Sequence, residues 1–409
     1  MSKTLKAVVL SVSVALVLFT IVGGLRVHAD SDDGAYRQLG VYSEVLSRIQ
    51  SEYVEEPNIP AVTDGALHGL LESLDANSSY LTPDEYKKFK ALKVDGKANI
   101  GATISKRFGY AAVVSVVPGG PADKAGLEGG DIIEAIEGKS TREMSLAVLG
   151  NEMTGEPGSN INVSVVRPRK AEPVKLTITR NSVTIPPVTD QTLEGNIGYI
   201  KVDTLTVGKA QEIANKIKTL QTHGVNKLVL DLRDCSAGDE KEGVAVANLF
   251  LTHGVITYLQ GQRYPKEVFN ADQAKAVTGL PLVVLVNRDT AGPAEIVAAA
   301  ILGNARGDVL GDKTFGIGSV QKVIDVPDGS ALILSIAKFY TPDGKAIQDT
   351  GITPNIQVAD NLDDFIVPDD EDNNTPSAAE EKKPQRTLEN DEQLKRAIEV
   401  LKNHDKKAA

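Results

Sequence analysis

The 409-residue chain has no tryptophan, a single cysteine, three methionines and an aromatic share of only 4%. One cysteine, Cys235, excludes any intrachain disulfide, so stability must come from packing. Scarce aromatics leave the cores to Val, Ile, Leu and Ala. At 41% hydrophobic residues, a chain of this length can build two or three such cores. Basic charge is also short: a formal net charge of −11 provides no basic face for phosphates and argues against nucleic acid as a partner. No spacing of His, Cys, Asp and Glu outlines a metal site, and no phosphate loop or cofactor motif stands out, so neither metal nor cofactor is expected.

Charge is missing altogether from Ala7 to Leu25, a run that follows Lys3 and Lys6 and leads into Val27-His28-Ala29. Small residues at that spacing suit a signal peptidase, and the run is also just long enough to span a bilayer. Residues 1–29 are therefore expected to be a signal peptide or a membrane anchor. With the positive end held in the cytoplasm, the remainder is expected to be exported, to the periplasmic or extracellular side of a bacterial inner membrane.

Beyond the leader, residues 34–95 read as helical, with Val41, Val45, Leu46, Ile49 and Tyr53 on one helical face and Leu67, Leu70, Leu71 and Leu74 on a second. His68, alone on that helix, reads as structural. Residues 96–181 change character. A strand through Val113, Val114, Val116 and Val117 is followed by a short helix, Pro121 to Ala125, stopped at Gly126, and by the strand Ile132 to Ile136. Leu146, Val148 and Leu149 suggest another helix, and Ile161, Val163, Val165, Leu176 and Ile178 alternate as in half-buried strands. This order of elements resembles a PDZ domain. The resemblance implies capture of an extended C-terminal peptide by strand addition, with Ile100, Gly101 and Ala102 in the loop that holds the terminal carboxylate.

Residues 182–360 alternate strands and helices. Ile197 to Ile200, Leu228 to Leu232 and Leu282 to Val286 read as buried strands, each followed by a helical stretch. The class expected is an α/β core, a layered sheet with flanking helices, carrying an inserted PDZ domain and an N-terminal helical region. Residues 361–388 are acidic and poor in apolar side chains, a solvated linker, and 389–409 form an amphipathic helix that could dock on the body or on a partner.

Two segments of the core carry the chemistry. Asp289-Thr290-Ala291-Gly292-Pro293-Ala294-Glu295-Ile296 and Lys313-Thr314-Phe315-Gly316-Ile317-Gly318-Ser319-Val320-Gln321 resemble the catalytic segments of the carboxyl-terminal processing peptidases, also called tail-specific proteases. In that family the first reads roughly Ser/Thr-Ala-Ser-Ala-Ser-Glu-Ile and the second Lys-Thr-Phe-Gly-Lys-Gly-Ser-Val-Gln. The resemblance places the serine nucleophile at Gly292 and its lysine base at Ile317, while Gln321 is retained. It also assigns one oxyanion donor to the N–H of residue 293, here Pro293, and the other to the loop Arg233-Asp234-Cys235-Ser236-Ala237-Gly238, where Gly238 is kept.

Acyl transfer to serine needs a hydroxyl, a base and oxyanion donors. Glycine has no hydroxyl, isoleucine no titratable nitrogen and proline no N–H. Loss of one donor alone typically lowers turnover about 100–1,000-fold. Asp234 would further oppose a developing negative charge. Thr290, Ser319 and Lys313 are the neighbours that could substitute, and Cys235 lacks a histidine in any motif that could activate it.

The expectation is therefore a peptidase relative that binds protein C-termini, an active relative or itself without cutting. An active serine-type endopeptidase with a rearranged site, and a structural subunit with an empty PDZ groove, are the alternatives.

Overall fold

A computed structural model describes residues 33–92, 97–107, 109–167, 170, 172–360, 386–387 and 390–408. The expected leader, and all of the acidic stretch but Arg386 and Thr387, lie outside the described residues. Among the described residues no helix is long and apolar enough to cross a membrane.

The N-terminal region contains helices α1 (Asp33–Glu52) and α2 (Ile59–Glu72), then strand β1 (Ser79–Leu81) and helix α3 (Pro83–Leu92). Within this region read as helical, Ser79-Tyr80-Leu81 is a buried strand. Its reason is long-range: Ser79, Tyr80 and Leu81 pair with Ile333, Leu332 and Ala331, a register no local pattern announces.

The next module has strands β2 (Ala98–Asn99), β3 (Ala102–Arg107) and β4 (Tyr110–Val116), helix α4 (Pro121–Lys124), strands β5 (Ile132–Ile136) and β6 (Lys139–Ser140), helix α5 (Leu146–Met153), and strands β7 (Thr154–Gly155), β8 (Asn160–Val166) and β9 (Val174–Thr179). Strands β3, β4, β5, β8 and β9 form one antiparallel sheet in that order. Alternation puts Ile161, Val163 and Val165 inside, against Ile100, Leu127, Ile133, Leu149 and Ile178. Pairing of Ala98 with Gly155 and Asn99 with Thr154 sets the C-terminal end of α5 beside the loop at residues 99–102.

The core follows with β10 (Thr189–Leu193), β11 (Ile197–Lys201), β12 (Thr204–Leu205), α6 (Lys209–Thr222), β13 (Lys227–Asp231), β14 (Ala237–Gly238), α7 (Glu240–Asn248), β15 (Val255–Gln260), β16 (Glu267–Asn270), β17 (Leu282–Val286), α8 (Pro293–Gly303), β18 (Asp308–Gly311), β19 (Ser319–Asp325), β20 (Ala331–Tyr340) and β21 (Ile356–Gln357). Six strands make a sheet in the order β10-β11-β13-β17-β18-β21, parallel except for β10. A second sheet runs β1-β20-β15-β16, with β19 also paired to β20.

Burial on both faces explains the continuous apolar runs. Leu228, Leu230, Val284 and Val286 face Ile213, Ile217, Val246 and Val297 of the helices, while Val229, Val283, Leu285 and Leu310 face the other way. That other face is covered by Leu394, Ala397 and Leu401 of the last helix, α9 (Glu392–Ala408). The amphipathic C-terminal helix thus docks on the body. Arg233, 1% exposed, fixes it: the guanidinium donates to Asp231 at the end of β13 and to both carboxylate oxygens of Asp391, at 2.9 and 2.7 Å.

Candidate functional site

Strands β13 and β17 are parallel neighbours, Leu228 opposite Leu282 and Asp231 opposite Leu285, so the loops that leave their carboxyl ends lie side by side. In open α/β sheets this is where chemistry gathers. The first loop is Arg233 to Gly238; the second is Asn287 to Gly292, which runs straight into α8.

Glu295 organises the place where these meet the Lys313–Gln321 segment. It is fully buried, and its Oε2 accepts the N–H of Gly292 at 2.9 Å and that of Ile317 at 2.8 Å. Its Oε1 accepts the N–H of Gly316 at 2.8 Å and the hydroxyl of Thr314. One carboxylate oxygen therefore ties Gly292 to Ile317. Burial pushes the carboxyl up to about 7, against the pull of Thr314 and the backbone donors. The sequence reading passed over this residue's role. Its signal was present, since Glu295 is the lone charged residue in an otherwise apolar helix.

At Gly292 the backbone has φ 58° and ψ −120°, at the sharp turn from strand into helix. An L side chain adopts this conformation only under strain, as at the nucleophile elbows of hydrolases. Space is not what forbids one: a Cβ built on Gly292 would have the Ser236 carbonyl at 3.6 Å as its nearest neighbour. The turn keeps the form that presents a side chain and presents none. Pro293 opens α8 at its first position, where a missing N–H costs the helix nothing. The cost falls on the pocket, which has no donor from this residue.

The neighbours are committed elsewhere. Thr290, fully buried, donates its hydroxyl to the Leu232 carbonyl at 2.9 Å and accepts the Asn287 N–H at 3.0 Å. Ser319 accepts from Asn77 at 3.1 Å and from the side-chain amide of Gln321 at 2.7 Å. Lys313 is exposed. Cys235 is buried, and desolvation pushes its thiol up to about 12, which keeps it protonated at neutral pH. Gly238 has φ 150°, and a Cβ there would fall 2.3 Å from the Leu205 carbonyl oxygen, so strand β12 alone demands glycine. Asp234 departs from the expectation that its charge bears on the pocket: it accepts from Asn287 Nδ2 at 2.7 Å and pairs with Arg386. Burial would raise its carboxyl, but Arg386, Lys201 and Asn287 outweigh this and hold it below the ordinary value. Among the described residues, no group of three or more His, Cys, Asp or Glu is placed to hold a metal ion.

The second candidate site is a groove of about 460 Å³ lined by Asn99, Ile100, Gly101, Ala102 and Ile104 on one side and by Leu146, Gly150 and Met153 of α5 on the other. Val183, Ile185 and Ala237 of the core also line it, so the groove reaches the loop that ends at Gly238. In the free protein the Gly101 N–H is not vacant: it donates to Asn99 Oδ1 at 2.8 Å. The groove module touches all three segments of the pocket. Ser115 shares a hydrogen bond with Ser236, Arg107 stands 5.4 Å over the Phe315 ring, and Gly129 packs on Asp289 with no room for a Cβ.

Comparison with known proteins agrees with this architecture. Residues 196–358 match the model of peptidase family S41, and residues 113–167 match that of the PDZ domain. The chain is 30% identical over 347 residues to a carboxy-terminal-processing protease of Bartonella bacilliformis, covering 84% of this chain and 80% of that one. It is 31% identical to the carboxy-terminal processing protease CtpA of Bacillus subtilis, over 80% of this chain and 70% of that one. Among solved structures, the photosystem II D1 C-terminal processing protease superposes with a TM-score of 0.65 at 28% identity, over 78% of this chain and 86% of that one.

Proposed function

Because the chain belongs to peptidase family S41, the PDZ-bearing carboxyl-terminal processing proteases, and yet carries Gly292, Pro293 and Ile317 where that chemistry needs a hydroxyl, an N–H and an amine, we propose that it is a pseudo-peptidase. It binds protein C-termini in the groove between β3 and α5 and does not cut them. The observation that carries this reading is the turn at Gly292: held by Glu295 against Ile317, open to a side chain, and bare. Thr290 and Ser319, the hydroxyls nearest in sequence, are tied to other partners. The reading includes export of the folded part by the apolar N-terminal run, with partners met as free tails, as an active relative or as a second copy.

The test separates binding from cleavage. The protein is incubated with an unfolded substrate bearing an apolar C-terminus; binding is followed by anisotropy and cleavage by mass spectrometry. Retention of the tail without new termini is expected. Turnover that disappears on Thr290→Ala or Ser319→Ala would establish a rearranged serine-type site instead.

A further inference from the structure

Helix α5 contains a glycine that its own structure does not require. Gly150 sits inside the helix, where glycine is among the least favourable residues. It has no positive φ, and a Cβ built on it meets nothing within 4 Å. Neither backbone conformation nor packing against a neighbour accounts for it. What lies in front of Gly150 is the groove, which it lines together with Leu146 and Met153, four residues before and three after.

The position along the groove is fixed by the pairing of β2 with β7, which sets Met153 beside the loop at residues 99–102. A tail added to the edge of β3, with its carboxylate at that loop, points alternate side chains toward α5, spaced about 6–7 Å apart. Positions four apart on a helix rise about 6 Å, so Leu146 meets the third residue from the end while Gly150 and Met153 flank the terminal one. Met153 is flexible and apolar, Ile100 is fully buried beneath, and the missing Cβ of Gly150 opens the wall between them.

We propose, resting on the tail-binding reading above, that Gly150 is a specificity-determining residue: it widens the terminal subsite so that the groove selects tails ending in a bulky apolar side chain, aromatic or long aliphatic.

The experiment uses the full chain and labelled ten-residue peptides that differ only in the last residue, Phe, Leu or Ala, with an amidated Phe peptide beside them, read by fluorescence anisotropy. Wild type is expected to hold the Phe and Leu tails at least tenfold more tightly than the Ala tail. Gly150→Leu should weaken the Phe tail at least tenfold and change the Ala tail less than twofold, with Gly150→Ala between. Equal affinity of wild type for Phe and Ala tails, or an equal loss of both in Gly150→Leu, overturns the proposal and leaves tail binding standing. No difference between free and amidated tails, or no binding of any tail, overturns both. Unchanged melting of Gly150→Ala keeps its affinities interpretable should Gly150→Leu fail to fold.

Discussion

Gly292 and Ile317 donate their backbone N–H groups to the same atom, Oε2 of Glu295, at 2.9 and 2.8 Å. The two positions that the pseudo-peptidase reading assigns to nucleophile and base are thus held together by one carboxylate, and neither side chain can react. Scaffold and chemistry are separable in this fold, and each makes its own prediction.

Replacing the scaffold tests the first. Glu295→Gln puts an NH₂ against donors that need an acceptor, and an unsatisfied buried group costs about 1–3 kcal/mol. A loss of that size in denaturant unfolding is expected.

The same carboxyl gives a pH signature. Its value in the folded protein, about 7, lies above the ordinary 4.5, so its contribution to stability is complete below about 4.5, falls as pH rises, and is gone above about 7. The stability gap between wild type and Glu295→Gln should therefore narrow from pH 4.5 to pH 7. A gap that widens over this range would contradict the raised value.

Restoring the chemistry tests the second. Gly292→Ser fits the available space, with its nearest neighbour at 3.6 Å, but places a side chain at φ 58°, and should cost about 1–3 kcal/mol of stability. Covalent labelling by a serine-directed reagent is expected only when Ile317→Lys is added. Adding Pro293→Ala should then raise cleavage about 100–1,000-fold by supplying an oxyanion donor. Labelling of Gly292→Ser alone would show that another base serves.

Asn99 occupies the Gly101 N–H that a terminal carboxylate would take. Asn99→Ala should tighten free-acid tails about threefold to tenfold, the worth of one hydrogen bond. Amidated tails, titrated in parallel, should change less.

How much of this could be read from residues alone varied with the range of the interaction. Leu282 to Val286, apolar at every position, announced a strand buried on both faces, and Ile161, Val163 and Val165 announced one buried on a single face. The flanks of Gly292 and Ile317 marked two segments that the fold brings together on Glu295. What escaped was non-local: β1 gains its strand character from Ala331, Leu332 and Ile333, and the hairpins β15–β16 and β19–β20 become one sheet only through the distant pairing of β15 with β20. The Arg386 that answers Asp234 comes from 152 positions along. Local pattern reports which faces are apolar, and it cannot report which distant charge completes a pair.

Removing that kind of distant partner from the residue that precedes α9 has a large expected effect. Asp391→Ala leaves the buried Arg233 with only Asp231 and Gln393 for partners, and breaking a buried ion pair costs about 3–5 kcal/mol. Hydrogen exchange should rise first in Leu394 to Leu401. Burial would raise the Asp231 carboxyl, but Arg233 and Lys201 hold it well below its ordinary 3.8. Its share of stability is present above about 3.8 and disappears as acid titrates through the depressed value.

The central sheet is roofed by Leu394, Ala397 and Leu401, which lie later in the chain than every strand residue they cover. Val229, Val283, Leu285 and Leu310 are therefore made before the helix that covers them, and this face of the sheet is finished only once α9 has been added. A proteolytic cut that frees α9 would bare the apolar face of a sheet assembled before it.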